Sequence, residues 1–117
     1  MITEVIKIIQ RYRFSLSSEW QLQNDVERVL IKHEIPYKRE YVLDKKNRPD
    51  FMIYGYAVEI KIGGTATNIY KQCSRYAAFE QVDGVVLITN RAMGFPTDMY
   101  PVLFTIPRVA GWIAHWV

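Results

Sequence analysis

Arg48-Pro49-Asp50-Phe51-Met52-Ile53-Tyr54-Gly55-Tyr56-Ala57-Val58-Glu59-Ile60-Lys61-Ile62 carries the strongest structural signal in the chain. Two short apolar runs flank Gly55-Tyr56, a pair suited to a two-residue hairpin with Gly at the first central position. Side chains alternate faces along a strand. Val58, Ile60 and Ile62 therefore share one face of the second strand, and Glu59 and Lys61 share the other. Closing the hairpin on Gly55-Tyr56 pairs Phe51 with Ile60, Met52 with Glu59 and Asp50 with Lys61. The apolar residues then collect on one face, and Asp50, Glu59 and Lys61 on the opposite one. Directly opposed Cβ atoms lie about 5 Å apart and diagonal ones about 7 Å. One metal ion can bridge the two carboxylates with an amine close by. Oxygen ligands suit Mg2+ or Mn2+. Such an ion polarises a phosphate and activates water, and a lysine adds positive charge to the transition state. The same hairpin also reads as an exposed strand face carrying a salt bridge. Asp44-Lys45-Lys46 has the same acid-x-lysine spacing in a polar turn with no apolar strand beneath it.

Upstream, Val5, Ile8, Ile9 and Tyr12 have helical spacing, so a short amphipathic helix is expected from Thr3 to about Arg13. A second helix is expected from Glu19 to about His33, capped by Ser17 or Ser18 and stopped by Pro36. Glu19 falls within the apolar stripe of that helix. It either needs a partner or a metal or meets the helix dipole from the first turn. Glu27 sits off the stripe and reads as solvated. Tyr37 to Leu43 reads as a strand. Downstream, Asn68 to Glu80 reads as a helix on which Gln72 and Tyr76 are neighbours. Gln72 either positions a phosphate or a metal-bound water, with Tyr76 fixing its orientation, or the two form an ordinary helix edge. Lys71 and Arg75 project elsewhere and can meet a nucleic-acid backbone. Arg39 and Arg48 flank the hairpin as phosphate binders or as charged strand ends. Gly84 to Thr89 and Val102 to Ile106 read as strands and Asn90 to Pro101 as a loop. The tail from Arg108 to Val117 is open between helix and strand. This order predicts a mixed sheet flanked by helices.

The totals agree with one domain. The chain has 117 residues, half of them apolar and 23% charged, which excludes a disordered composition. Its net charge of +3 is mildly basic and fits a nucleic-acid partner without requiring one. Cys73 is the lone cysteine, expected as a packed thiol, so no internal disulfide forms, which fits a reducing cytoplasm. No apolar run approaches membrane-spanning length, and Glu4, Lys7, Gln10 and Arg11 interrupt any signal-peptide core. Neither His33 nor His115 lies near a plausible nucleophile, and no His/Cys set suits structural zinc.

Taken in order, Glu19, Pro49-Asp50, Glu59-Ile60-Lys61 and Gln72-x-x-x-Tyr76 resemble the PD-(D/E)XK nuclease superfamily over about residues 19 to 89. The resemblance implies an α/β fold: a central mixed β-sheet flanked by helices, the restriction-endonuclease-like core. It implies that Asp50 and Glu59 bind Mg2+ with the Ile60 backbone carbonyl, that Lys61 is the catalytic lysine, and that Glu19 is the acid of the first core helix. Gln72 and Tyr76 resemble the helix motif of exonuclease branches. The size is similar to Holliday-junction resolvases and small stand-alone phage or VRR-type nucleases. The resulting expectation is a single nuclease domain, with a helical extension over 1–16, a core over 17–106 and a tail over 107–117. It would be a Mg2+-dependent deoxyribonuclease that binds DNA as a homodimer. The rivals are a non-catalytic nucleic-acid-binding module and an interaction protein that keep the fold.

Overall fold

Three helices and one six-stranded sheet form in the computed structural model, which describes residues 1–15, 17–89, 102–109 and 112–116. The elements are α1 (Ile2–Gln10), α2 (Glu19–Lys32), β1 (Lys38–Arg39), β2 (Phe51–Ile53), β3 (Tyr56–Lys61), α3 (Ala66–Ala77), β4 (Gly84–Thr89), β5 (Val102–Val109) and β6 (Trp112–Trp116). The strands lie side by side in chain order. β1, β2 and β3 run antiparallel, β3, β4 and β5 parallel, and β6 returns antiparallel to β5.

The starts of α2 and α3 follow capping chemistry, whereas α1 begins without a side-chain cap. Ser18 caps α2, its hydroxyl accepting from the Gln21 amide at 3.0 Å. Thr65 caps α3, accepting from the Asn68 amide at 3.2 Å. The sheet separates two apolar layers. On one face α1 (Ile2, Val5, Ile6, Ile9) and α2 (Leu22, Val26, Val29, Leu30) cover Phe51, Ile53, Val58, Ile60, Val86 and Ile88. On the other, Ile69, Cys73 and Tyr76 of α3 pack on Ala57, Val85 and Leu87. β4 is covered on both faces, so all six of its residues are buried and its sequence runs apolar from Val85 to Ile88 rather than alternating.

Two expectations are corrected in detail and one left open is resolved. The strand expected from Tyr37 to Leu43 shrinks to Lys38–Arg39, because Glu40 takes a left-handed φ of 53° and breaks the ladder. The tail from Arg108, left open between helix and strand, is strand where it is described: Arg108 and Val109 end β5, and Trp112–Trp116 form β6. The hairpin closes on Tyr54-Gly55 rather than Gly55-Tyr56. Both turn residues have positive φ, 50° and 82°, as a type I′ turn requires. Phe51 therefore pairs with Val58, not Ile60, and Met52 with Ala57. The slip is two residues, so every side chain keeps its face. The expected loop from Asn90 to Pro101 lies outside the described residues.

The turn is strained at Tyr54, since a bulky side chain at positive φ costs about 1–2 kcal/mol. Gly55 is constrained differently: a Cβ there would run into the Asp83 carboxylate, whose own amide donates to the Gly55 carbonyl at 2.8 Å. Tyr54→Asn is expected to stabilise the protein by about 1 kcal/mol in urea unfolding. Gly55→Val is expected to destabilise it by about 2 kcal/mol or more. Equal effects from the two variants would contradict this turn.

Candidate functional site

One step beyond the Phe51–Val58 pair, the β2–β3 ladder ends and side chains take over its hydrogen bonds. Asp50 Oδ2 accepts from the Ile60 amide at 2.8 Å, and Glu59 Oε1 accepts from the Asp50 amide at 3.3 Å. The two carboxylates are thereby tied across the strand pair. Lys61 Nζ stands 3.5 Å from Glu59 Oε2. Glu59 is 4% exposed, an unusual degree of burial for a carboxylate.

α2 and α3 approach this end of the ladder from opposite sides. From α3, the Tyr76 hydroxyl donates to Glu59 Oε1 at 3.2 Å and receives a bond from Gln72 Nε2 at 3.0 Å. From α2, Gln23 Nε2 donates to Asp50 Oδ1 at 3.1 Å. Glu19 Oε1 accepts from the Ile62 amide at 2.8 Å, so it fastens α2 to the end of β3. Of its two sequence readings, an acid with a partner describes it best.

Burial sets the electrostatics. Desolvation pushes the Asp50 carboxyl up to about 6, opposed by the Ile60 amide and the Lys61 charge and reinforced by Glu19 and Glu40. Desolvation, followed by the Asp50 charge, pushes Glu59 up to about 7, opposed by Lys61 and the Tyr76 hydroxyl. Protons taken up here near neutrality belong to the pair. Burial and the Glu59 charge also push the Tyr76 phenol up, so it stays a donor. Cys73 is packed as expected, and burial pushes its thiol up to about 12. Thr89, the register partner of Lys61, keeps a buried hydroxyl with no hydrogen-bond partner among the described residues.

The other candidate residues are placed less directly. Arg39 turns inward and donates to Gln23 Oε1 at 3.2 Å, Asn24 Oδ1 at 2.9 Å and Glu27 Oε1 at 3.0 Å. Glu27, read as solvated, also accepts from the Tyr37 hydroxyl at 2.9 Å. Arg75 Nε donates to Asn47 Oδ1 at 3.2 Å. Arg48 and Lys71 are exposed. Sequence reasoning missed Gln23, Asn24 and Glu27 as parts of the site. A signal existed: Glu19, Gln23 and Glu27 recur every four residues, which lines them along one side of a helix.

Two carboxylates with free lone pairs on their oxygens could hold a cation that keeps most of its water, as Mg2+ does, provided the Lys61 ammonium, 3.5 Å from Glu59 Oε2, stays outside the cation's ligand shell. Among the described residues no group of three or more His, Cys, Asp and Glu side chains is placed to hold a metal ion, so protein ligands here are limited to the Asp50–Glu59 pair. The orphaned Thr89 hydroxyl calls for a further polar partner near Lys61. No helix among the described residues is long and apolar enough to cross a membrane.

Comparison with known proteins places the chain elsewhere than the hairpin motif did. Residues 38–117 match the family model of the citrate synthase C-terminal domain. The peroxisomal citrate synthase of Dictyostelium discoideum is 62% identical over 39 residues, 33% of this chain and 8% of the relative. Citrate synthase 1 of Mycobacterium tuberculosis (strain ATCC 25618 / H37Rv) is 34% identical over 67 residues, 57% of this chain and 15% of the relative. The glyoxysomal citrate synthase of Cucurbita maxima is 50% identical over 38 residues, 32% of this chain and 7% of the relative. No solved structure matches.

These matches overturn the resemblance to the PD-(D/E)XK superfamily and, with it, the restriction-endonuclease-like core, the nuclease activity and its non-catalytic rivals, and the DNA-binding expectation. The physical reason lies in the motif. Four fixed residues, Pro49, Asp50, Glu59 and Lys61, describe a polar strand end with a salt bridge as well as they describe a nuclease. The citrate synthase C-terminal domain is largely helical. Over its matched span this chain instead has α3 and six strands among the described residues. α1 and α2 precede the matched span, so Glu19 and Gln23 reach the site from outside it.

Raised carboxyls make the fold pH-sensitive with a definite sign. Asp50 and Glu59 bind protons more tightly folded than unfolded, where 3.8 and 4.5 apply. Their stabilising contribution is complete below about pH 4 and is lost as pH rises through about 6 to 7. The stability of Glu59→Gln relative to wild type should therefore rise between pH 4 and pH 8 in urea melts. A flat difference would show that Glu59 is not held in this environment.

Proposed function

The chain belongs to the citrate synthase family, and from that premise we propose that the Asp50–Glu59–Lys61 cluster binds a divalent cation together with a carboxylate-bearing ligand of citrate's class. The chain spans 7–15% of the length of the curated relatives it matches, so their complete synthase activity stands here as a proposal rather than a property. The observation that carries the reading is the buried Glu59 and half-buried Asp50 carboxylates tied across the end of one hairpin. Two such groups resist ionising together, and a divalent cation relieves that repulsion as no single lysine does.

The donor set suits Mg2+ or Mn2+, with Asp50 and Glu59 as direct ligands and water filling the rest of the shell, while Glu19 is engaged by the Ile62 amide. A bound cation would supply an electrophilic anchor for ligand oxygens. Lys61 supplies a second positive charge for the same ligand, and Tyr76 keeps Glu59 turned toward the pair. Thr89 offers its unpartnered hydroxyl. Gln72 acts through Tyr76 rather than on the ligand.

Thermal unfolding with Mn2+ or Mg2+, with and without citrate, tests this by mass action. The cation alone is expected to raise the midpoint, and citrate to add a further rise only when the cation is present. Asp50→Asn should remove both rises, and Lys61→Met only the second. Inorganic phosphate in place of citrate distinguishes carboxylate binding from a general response to anions. A midpoint indifferent to both cations would refute the site. An unchanged rise in Asp50→Asn would move it elsewhere.

A further inference from the structure

A chain of hydrogen bonds reaches Asp50 from the α2 side. Asp50 Oδ1 receives Gln23 Nε2 at 3.1 Å, and Gln23 Oε1 in turn receives Arg39 NH2 at 3.2 Å. Arg39 is itself fixed by Asn24 Oδ1 at 2.9 Å and Glu27 Oε1 at 3.0 Å, and its guanidinium lies 5.7 Å from the Phe51 ring centre. Glu27 is anchored from its other oxygen by the Tyr37 hydroxyl at 2.9 Å. All these side chains are partly buried. An amide can present either its oxygen or its nitrogen to a neighbour. Arg39 has only donors, so it takes the Gln23 oxygen and leaves the NH2 group for Asp50.

We propose that Gln23 and Arg39 are positioning residues: Arg39 sets the orientation of the Gln23 amide, and that amide holds one Asp50 oxygen in place while the Ile60 amide holds the other. The inference deepens the proposed cation site and rests on it for its consequence, but not for the contact itself. Outer partners of metal-binding carboxylates commonly govern affinity as strongly as this. The charged groups around Asp50 are Glu19 on α2, Glu40 after β1, and Glu59 and Lys61 on β3. None of them touches Gln23 in the hydrogen bonds that define this relay, so a change at Gln23 is read at Asp50 without altering any charge.

Gln23→Met keeps the length of the side chain and removes both bonds. It is expected to weaken Mn2+ binding about tenfold, measured by paramagnetic resonance of free Mn2+, with the metal-free unfolding midpoint little changed. Arg39→Met should weaken binding in the same direction, and Arg39→Lys should recover part of the loss, because an ammonium can still donate to the amide oxygen. Undiminished affinity in Gln23→Met would overturn the proposal. So would an Arg39→Lys variant as weak as Arg39→Met. If the wild-type protein binds no Mn2+, the cation site fails, and the positioning claim is then read from the Gln23 side-chain amide signals in NMR. Those signals should shift in both Asp50→Asn and Arg39→Met. Signals unmoved in both variants would overturn the positioning role independently of any metal.

Discussion

Everything at the candidate site depends on the register of one hairpin. The left-handed pair Tyr54-Gly55 sets Phe51 against Val58, and that pairing brings Asp50 and Glu59 together where the ladder ends. A slip of one residue would reverse the faces of β2 against β3. Glu59 would then lose Tyr76 and meet the apolar layer under α1 and α2, where Val58 and Ile60 now sit. The cost of burying an unpartnered carboxylate there excludes that alternative. The polar pair and the apolar core thus specify the same register, and each makes errors in the other expensive.

That dual specification explains what could be read from the sequence. Alternation in Val58-Glu59-Ile60-Lys61 assigns faces, and faces survive a shift of two residues. The convergence of Asp50, Glu59 and Lys61 was therefore legible even though the turn was placed one residue late. The turn itself was not legible, because Tyr54 is a poor left-handed residue and Gly55 alone fits either position. Glu40 hides a similar break: nothing in Arg39-Glu40-Tyr41 signals a positive φ, so β1 looked longer than it is. The stripe Glu19, Gln23, Glu27 was visible at four-residue spacing. Its meaning required Arg39, which lies after the helix and whose direction no local pattern reveals.

Family membership was legible in a different place from the site chemistry. The hairpin directed attention to three polar residues, Asp50, Glu59 and Lys61, whereas the match to citrate synthases extends over 38–117 and includes the strands β5 and β6. A match of that length outweighs a motif whose residues recur wherever a strand pair ends in charge. It does not transfer local structure wholesale, since the family domain is largely helical and this span is rich in strands. Function therefore has to be argued from what the side chains touch rather than from fold or family alone.

Those contacts share one feature: the groups that hold Asp50 and Glu59 are almost all neutral. The Ile60 amide, the Asp50 amide, the Gln23 amide and the Tyr76 hydroxyl each donate a hydrogen bond, and among the described residues Lys61 is the one close cation. Neutral donors orient a carboxylate without cancelling its charge, so the pair keeps a strong affinity for whatever positive species can reach it. A second buried arginine would have satisfied the charge permanently and left nothing to bind. Arg39 comes within one residue of doing so, but Glu27 neutralises it and Gln23 stands between it and Asp50. The site is thus kept short of positive charge by the same network that keeps its geometry fixed. The deficit is filled by protons at low pH, and those protons leave as pH rises through about 6 to 7.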